Sequence, residues 1–257
     1  MAGNEAEAIT MDRRSRVRRN AFRFADEVQR ISDPAKVMEA MIKAVGLHGF
    51  DNFCASFVTL APGEGTQDLI LADKFPDGWV KHYIERDFVH ADPAVRHTKR
   101  TIRPYRWVAD APYDPRREPH FVEMVQRARD WGLQDGLVIP AHSSNGRIGQ
   151  VWFGGRESEI DLPMDEFPAL HFMALYAFER VLELSGRTDL PQPALTPRER
   201  EVLTLAAVGK TGGEISEMLH ISLRTVAEHI KNACHKLGAA TRTHAVVLAM
   251  KNGIIQP

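Results

Sequence analysis

"TPREREVLTLAAVGKTGGEISEMLHISLRTVAEHIKNACHKLG" (residues 196–238) carries three helix starts in close succession. TPRE at 196–199 is a capping box. Thr196 offers its hydroxyl to the free N–H groups, Pro197 sits in the first turn where its missing N–H costs nothing, and Glu199 reaches back. Val202, Leu203, Leu205 and Ala206 follow at helical spacing, and Gly209 stops the helix. TGGE at 211–214 repeats the box for a short helix carrying Ile215 and Leu219, and Ser222 caps a third.

On that third helix Val226, Ile230, Ala233 and Leu237 form a buried stripe, and Gly238 ends it. Arg224, Thr225, Ala227, Glu228 and Lys231 are left facing outward. TRTHAVVLAMKNG (241–253) adds a fourth helix with Gly253 as its stop. A short helix, a tight turn and a longer capped helix with polar and basic groups near its start describe a helix-turn-helix. Such a start points amides at phosphate while the exposed face enters the major groove. The same residues also suit a plain four-helix bundle with solvated charges. The charge distribution favours an anionic partner for this part alone: residues 194–257 hold eight Lys and Arg against five Glu, a net +3, in a chain of net −1.

Upstream, SGRTDLPQPA (185–194) has the prolines, glycine and polar residues of a linker. Residues 21–184 mix helix and strand patterns. Phe22, Ala25, Val28 and Ile31 open at helical spacing. SDPAKVMEAMIKAVG (32–46) has Ser32 or Asp33 as cap, Pro34 in the first turn, Val37, Met41 and Val45 on one stripe and Gly46 as stop. NFCASFVTLA (52–61) and QDLILADKF (67–75) read as paired strands. DGLVIPAHSSNGRIGQVWFGG (135–155) gives two more, joined across Asn145-Gly146. REPHFVEMVQRARDWG (117–132) is helical, and a long helix from Met164 to Leu184 closes the body.

The expected fold class is therefore α+β: an N-terminal α-β-α sandwich over residues 21–184, then an all-α four-helix helix-turn-helix domain over 195–257. Residues 1–20, with RRSRVRR at 13–19, read as an N-terminal arm whose arginines are a phosphate-binding extra or a solvated helix face.

One stretch of the body is chemically pointed. In GWVKHYIERDFVHADPAVRH (78–97), Trp79 and Tyr83 lie one helical turn apart, with Val80, Ile84 and Phe88 on and beside their face. The chain then meets Asp92-Pro93, where proline ends or kinks a helix. A carboxylate is thus left at the mouth of an aromatic surface. It is either the cap of the helix PAVRHTKR or an acceptor for something that binds there.

Several functions are excluded by composition. With 44% hydrophobic and 26% charged residues the chain is an ordinary globular one, and no apolar run approaches a membrane span. No secretory signal opens it, so Cys54 and Cys234, far apart in sequence, are expected as reduced thiols in a cytoplasm. His90, Asp92 and His97 match no metal-ligand spacing, and neither a G-x-S-x-G elbow nor a phosphate-cradling glycine loop is present. An enzyme, a metal and a cofactor are not expected.

LTPRE, VL, GKT, EI, L-x-IS, TV-x-x-HI, KLG and a final R-x-x-A, spread over residues 195–249, resemble the LuxR-type DNA-binding domain over its full length. Ser216 departs from the usual alanine, but is nearly as small. In the body, W-x-x-x-Y (Trp79, Tyr83), Asp92-Pro93, Trp107 and Gly136 resemble, in type and order, the autoinducer-binding domain of quorum-sensing regulators. The resemblance implies an N-acyl-homoserine lactone as ligand. It implies that Asp92 accepts from the ligand amide and that the Trp79 indole donates to the lactone carbonyl, which suits an acceptor-only and a donor-only group. The implied ligand set is Phe75, Trp79, Tyr83, Ile84, Asp92, Val95, Trp107, Val138 and Trp152. The implied DNA set is Lys210, Thr211, Arg224, Thr225, Ala227, Glu228 and Lys231. The implied partners are promoter DNA with an inverted repeat, a second copy of the chain through the fourth helix, and RNA polymerase. Two departures concern the acyl end: Phe75 stands where tyrosine is usual, and bulky Trp152 lies near a usual Ser or Thr. They point to a reshaped, less polar pocket for a short, branched or aromatic acyl group. The rival is a LuxR-type factor that acts without ligand or senses another small molecule.

Overall fold

The computed structural model describes residues 2–60, 63–142, 147–156, 162–187 and 195–256, with backbone alone for 2–12 and Leu47. The chain divides into two compact units, the bulk of the second running from Asp189 to Pro257. In the first unit, α1 (Ala2–Val28) and α2 (Pro34–Val45) precede β1 (Asn52–Phe57) and β2 (Ile70–Lys74). Three short helices follow, α3 (Trp79–Glu85), α4 (Phe88–Ala91) and α5 (Pro93–Thr98). Then come β3 (Tyr105–Arg106), α6 (Pro119–Asp130), β4 (Asp135–His142), β5 (Ile148–Gly155) and α7 (Phe167–Leu184).

The strands form one antiparallel sheet in the order β2-β1-β5-β4-β3. Because side chains alternate along a strand, the sheet sorts its residues between two cores. Phe53, Ala55, Phe57, Leu137, Ile139, Val151 and Phe153 face α1, α2 and α7. Cys54, Val138 and Trp152 face the opposite way, with residues of α3 to α6. All six positions of β1 are buried, as a strand covered on both faces requires. This is the expected α-β-α sandwich.

Three local expectations are corrected. α1 runs without a break through the residues assigned to an arm, because Val17, Ala21, Phe24 and Val28 supply a stripe that seals the core. Phe22, placed on that stripe from its spacing, is 67% exposed and rests on Phe172, with ring centroids 5.3 Å apart. α2 ends with Gly46 as its C-cap, as expected; a separate 3-10 turn then runs to His48, and Gly49, with φ +78°, turns the chain. The helix carrying Trp79 and Tyr83 ends before Phe88, because Asp87 adopts a left-handed conformation and re-aims the chain into α4. The Asn145-Gly146 turn and residues 188–194 of the linker lie outside the described residues.

The second unit contains α8 (Pro197–Ala207), α9 (Gly212–Leu219), α10 (Leu223–Leu237) and α11 (Arg242–Lys251). Both capping boxes form: Thr196 Oγ1 accepts from Glu199 N at 3.2 Å and Thr211 Oγ1 from Glu214 N at 3.3 Å, with each glutamate accepting from its cap residue in return. Ser222 and Thr241 cap α10 and α11. The core is small, with Leu203, Ala233, Ala245 and Ala249 at one end and Val202, Ile215 and Val226 at the other.

Candidate functional site: an aromatic cavity and a helix-turn-helix surface

The cavity lies between the sheet face of Cys54 and Trp152 and the short helices α3 to α5, with about 750 Å³ of empty volume, part of it open to solvent. Its mostly apolar lining with a few polar groups is of the kind that takes a small organic ligand. Phe75, Trp79, Tyr83, Ile84, Asp92, Val95, Trp107 and Trp152 all line it. Val138 does not. It lies on the correct sheet face, but its cross-strand neighbours Tyr105 and Trp152 carry larger rings, and it stays beneath them in the core.

Asp92 is 7% exposed and uses both oxygens. Oδ1 accepts from Ala94 N at 2.8 Å, capping α5, and Oδ2 accepts from the Tyr83 hydroxyl at 3.1 Å. Both readings of this carboxylate are therefore compatible, one oxygen each. Burial pushes its pKa up to about 6, against hydrogen bonds from Ala94, Tyr83 and the Trp107 indole and the charge of Arg96, which lower it. The Tyr83 hydroxyl is pushed up by its own burial and by Asp92. His90, by contrast, turns to Asp87 at 2.6 Å, and His97 packs edge-on to the Tyr105 ring.

Aromatic rings shape the rest. Trp79 is 4% exposed and lies within about 6 Å, centroid to centroid, of His82, Tyr83 and Trp131. Trp152 meets Phe75 at 5.1 Å and Trp107 at 5.6 Å, the second pair edge to face. The two departures at Phe75 and Trp152 are thus one feature, a ring pair across the cavity wall. Gly136 belongs to it indirectly. A Cβ there would lie 2.9 Å from the Trp152 indole and 2.3 Å from the Phe153 carbonyl, so glycine is needed to seat the ring.

Cys54, Ser56 and Gln150 also line the cavity and escaped the sequence reading. Their common signal was strand alternation: they share parity with Trp152 in the β1–β5 register. Leu69, Val80, Val89 and Leu133 line it too, but ordinary core residues give no distinguishing signal.

In the second unit Arg224, Ala227, Glu228 and Lys231 share one exposed face of α10. Arg224 Nε pairs with Glu228 at 3.4 Å. Thr225 is half-buried, its hydroxyl 2.8 Å from Ser222 Oγ. Lys210 pairs with Glu214, and Thr211 is committed to its cap, so both sit at the start of α9. Ser216 does more than replace an alanine: its hydroxyl donates to the Ile221 carbonyl at 2.6 Å and ties α9 to the turn.

A mostly apolar cavity with one buried carboxylate, carried on the same chain as a helix-turn-helix, defines a ligand-responsive DNA-binding regulator. Residues 33–181 match the autoinducer binding domain family, and residues 193–249 match the luxR family of bacterial regulatory proteins. The chain is 39% identical to the transcriptional activator protein BjaR1 of Bradyrhizobium diazoefficiens, over 86% of this chain and 89% of the relative. It is 36% identical to the quorum sensing-dependent transcriptional regulator RpaR of Rhodopseudomonas palustris, over 93% and 96%. Among solved structures, SdiA in complex with octanoyl-rac-glycerol shares the fold, with a TM-score of 0.72 at 21% identity over 92% of this chain and 96% of that one. The chain belongs to the LuxR family of transcriptional regulators with an autoinducer binding domain, and is a transcription factor rather than an enzyme.

Proposed function

We propose that the cavity holds the lactone with its amide N–H on Asp92 Oδ2 and its ring carbonyl on the Trp79 indole N–H. The observation that carries this is the placement of a buried, acceptor-only carboxylate beside Trp79, Tyr83 and Trp107 in one apolar cavity. Tyr83 holds that oxygen in the absence of ligand, and a ligand amide joins it there. The Phe75–Trp152 ring pair narrows the acyl end and favours a short, branched or aromatic acyl group. The chain works in the cytoplasm; no helix among the described residues is long and apolar enough to cross a membrane.

On DNA, the protein acts as a homodimer on an inverted repeat, since two-fold symmetry in the protein demands it in the site. Val247 and Met250, exposed one turn apart on α11, supply an apolar face for the partner copy. Arg224, Ala227, Glu228 and Lys231 read base edges, while Lys210, Thr211 and Thr225 lie near helix starts suited to phosphate. RNA polymerase is the further partner through which a bound regulator acts.

The test is thermal stability of the full chain against a panel of lactones with straight, branched and aromatic acyl groups. A ligand bound only by the native state adds about 2.7 kcal/mol at a hundredfold excess over Kd. A rise with one acyl class, abolished by Asp92→Ala, is expected. A folded, DNA-binding protein indifferent to every lactone would mean a regulator that senses another molecule or none, with Asp92 a helix cap only.

A further inference from the structure

Besides Asp92 and the Tyr83 hydroxyl, Ser56, Thr66 and Gln150 interrupt the apolar wall. Ser56 and Gln150 stand directly opposite in the β1–β5 pair. Behind Gln150 runs a chain of close contacts. The Tyr105 hydroxyl donates to the Ala94 carbonyl at 2.8 Å, Thr98 Oγ1 lies 2.8 Å from the Tyr105 oxygen, and the Gln150 amide lies 2.8 Å from Thr98 Oγ1. Thr98 is fully buried, so its hydroxyl has no water to turn to.

Counting protons orients this chain. The Ala94 carbonyl has none to give, so Tyr105 donates to it. Thr98 must then donate to Tyr105, and the third contact needs a proton from Gln150, whose amide nitrogen carries two. With Oε1 toward Thr98, one pair of oxygens would face each other without a proton between them. Turning the amide exchanges oxygen and nitrogen at no change of shape, and completes every bond. Nε2 is then committed to Thr98, which leaves Oε1 as the acceptor of a side chain that lines the cavity.

We propose that Gln150 is a specificity-determining residue that selects acyl groups carrying a hydroxyl near their outer end. This rests on the lactone reading of the same cavity. Asp92 caps α5 and Thr98 is its last residue, so the backbone positions of the proposed amide acceptor and of the anchor of Gln150 lie roughly 9 Å apart along the helix axis. A hydroxyl close to the ligand amide falls short of that distance. One at the end of the chain, or across a phenyl ring, reaches it and donates to Oε1. The polar patch therefore revises the expectation of a uniformly less polar pocket: Phe75 removes a hydroxyl near Trp152, and Gln150 supplies an acceptor further along.

The experiment is calorimetric titration of the full chain with matched pairs of lactones, each with and without a hydroxyl at the far end of a phenyl or straight-chain acyl group. Wild type prefers one hydroxylated member over its deoxy partner by about fivefold to tenfold, the size of a neutral hydrogen bond. Gln150→Leu brings that ratio to one, whatever it does to the affinity of the deoxy member. Thr98→Val, which leaves Tyr105 on Ala94 and frees the Gln150 amide to turn, also lowers the ratio and covers the case where Gln150→Leu does not fold. A wild-type ratio of one, or a preference untouched by either variant, overturns the assignment. Failure of every lactone to bind overturns the ligand class beneath it, and is distinguished by the absence of any heat.

Discussion

Tyr83 and Asp92 meet across the break that Asp87 makes between α3 and α4: the phenol donates to Oδ2 at 3.1 Å, while Oδ1 caps α5. One carboxylate thus joins three short helices around the cavity, and it does so while buried. The arrangement sets stability against binding, because an ionised group in an apolar site is costly until a ligand supplies another donor.

Asp92→Asn separates the two. The amide oxygen still caps α5, and the buried charge is gone, so the ligand-free protein should melt no lower, and by up to a few degrees higher, at pH 7. Lactone affinity should fall tenfold or more, since a hydrogen bond to a charged acceptor is worth about 1.5–3 kcal/mol. Melting curves and titrations on one preparation check both signs. A loss of ligand-free stability would show that the charge itself supports the fold.

The same group fixes a pH dependence. Its pKa is about 6 in the native protein against an ordinary 3.8, so between those values the folded chain holds a proton that the unfolded chain has released. Its contribution to stability is therefore fully present below about pH 4 and is lost as pH rises to about 6. Lactone binding runs the other way, because the ligand amide favours the ionised carboxylate. Affinity should rise by up to tenfold per pH unit below 6 and level off by pH 7. A Kd that stays flat from pH 5 to 7 would remove Asp92 from the amide.

Trp152→Ala tests the narrowed acyl end. The indole lies over Gly136 and Gly154 and against Phe75 and Trp107, so its removal should cost roughly 3–5 kcal/mol in the ligand-free protein. Lactones with longer acyl chains should restore part of that loss by filling the space, whereas the wild type rejects them. Thermal shifts for short and long chains, compared between the two proteins, read this out.

On the DNA side, Lys231→Ala should weaken operator binding and lower the slope of log affinity against log salt by about one if the lysine neutralises a phosphate, or relax base selectivity if it reads an edge. Glu228→Ala acts oppositely. It frees Arg224 from its ion pair, so affinity for unrelated DNA should rise at low salt. Binding at matched salt to operator and scrambled DNA distinguishes these effects, and unchanged affinity and selectivity in Lys231→Ala would take α10 out of the interface.

How far the chain determines all this by itself follows from the range of the interactions involved. The second unit was legible throughout, because caps, stops and stripes act within one turn of helix: Thr196 with Glu199, Thr211 with Glu214, Ser222 with Thr225. The body's helices and strands were legible for the same reason, as were Asp92 and its aromatic neighbours, which are close in sequence. Tertiary structure alone decided what depends on register and approach. The β1–β5 register brought Ser56 and Gln150 together and put Trp152 over Gly136 and beside Phe75. Packing drew Val17 of the assigned arm into the core, and left Val138 behind the cavity wall. Local chemistry names the elements and their ends; which side chains face one another across a sheet is set by burial summed over the whole fold, and no window of sequence contains it.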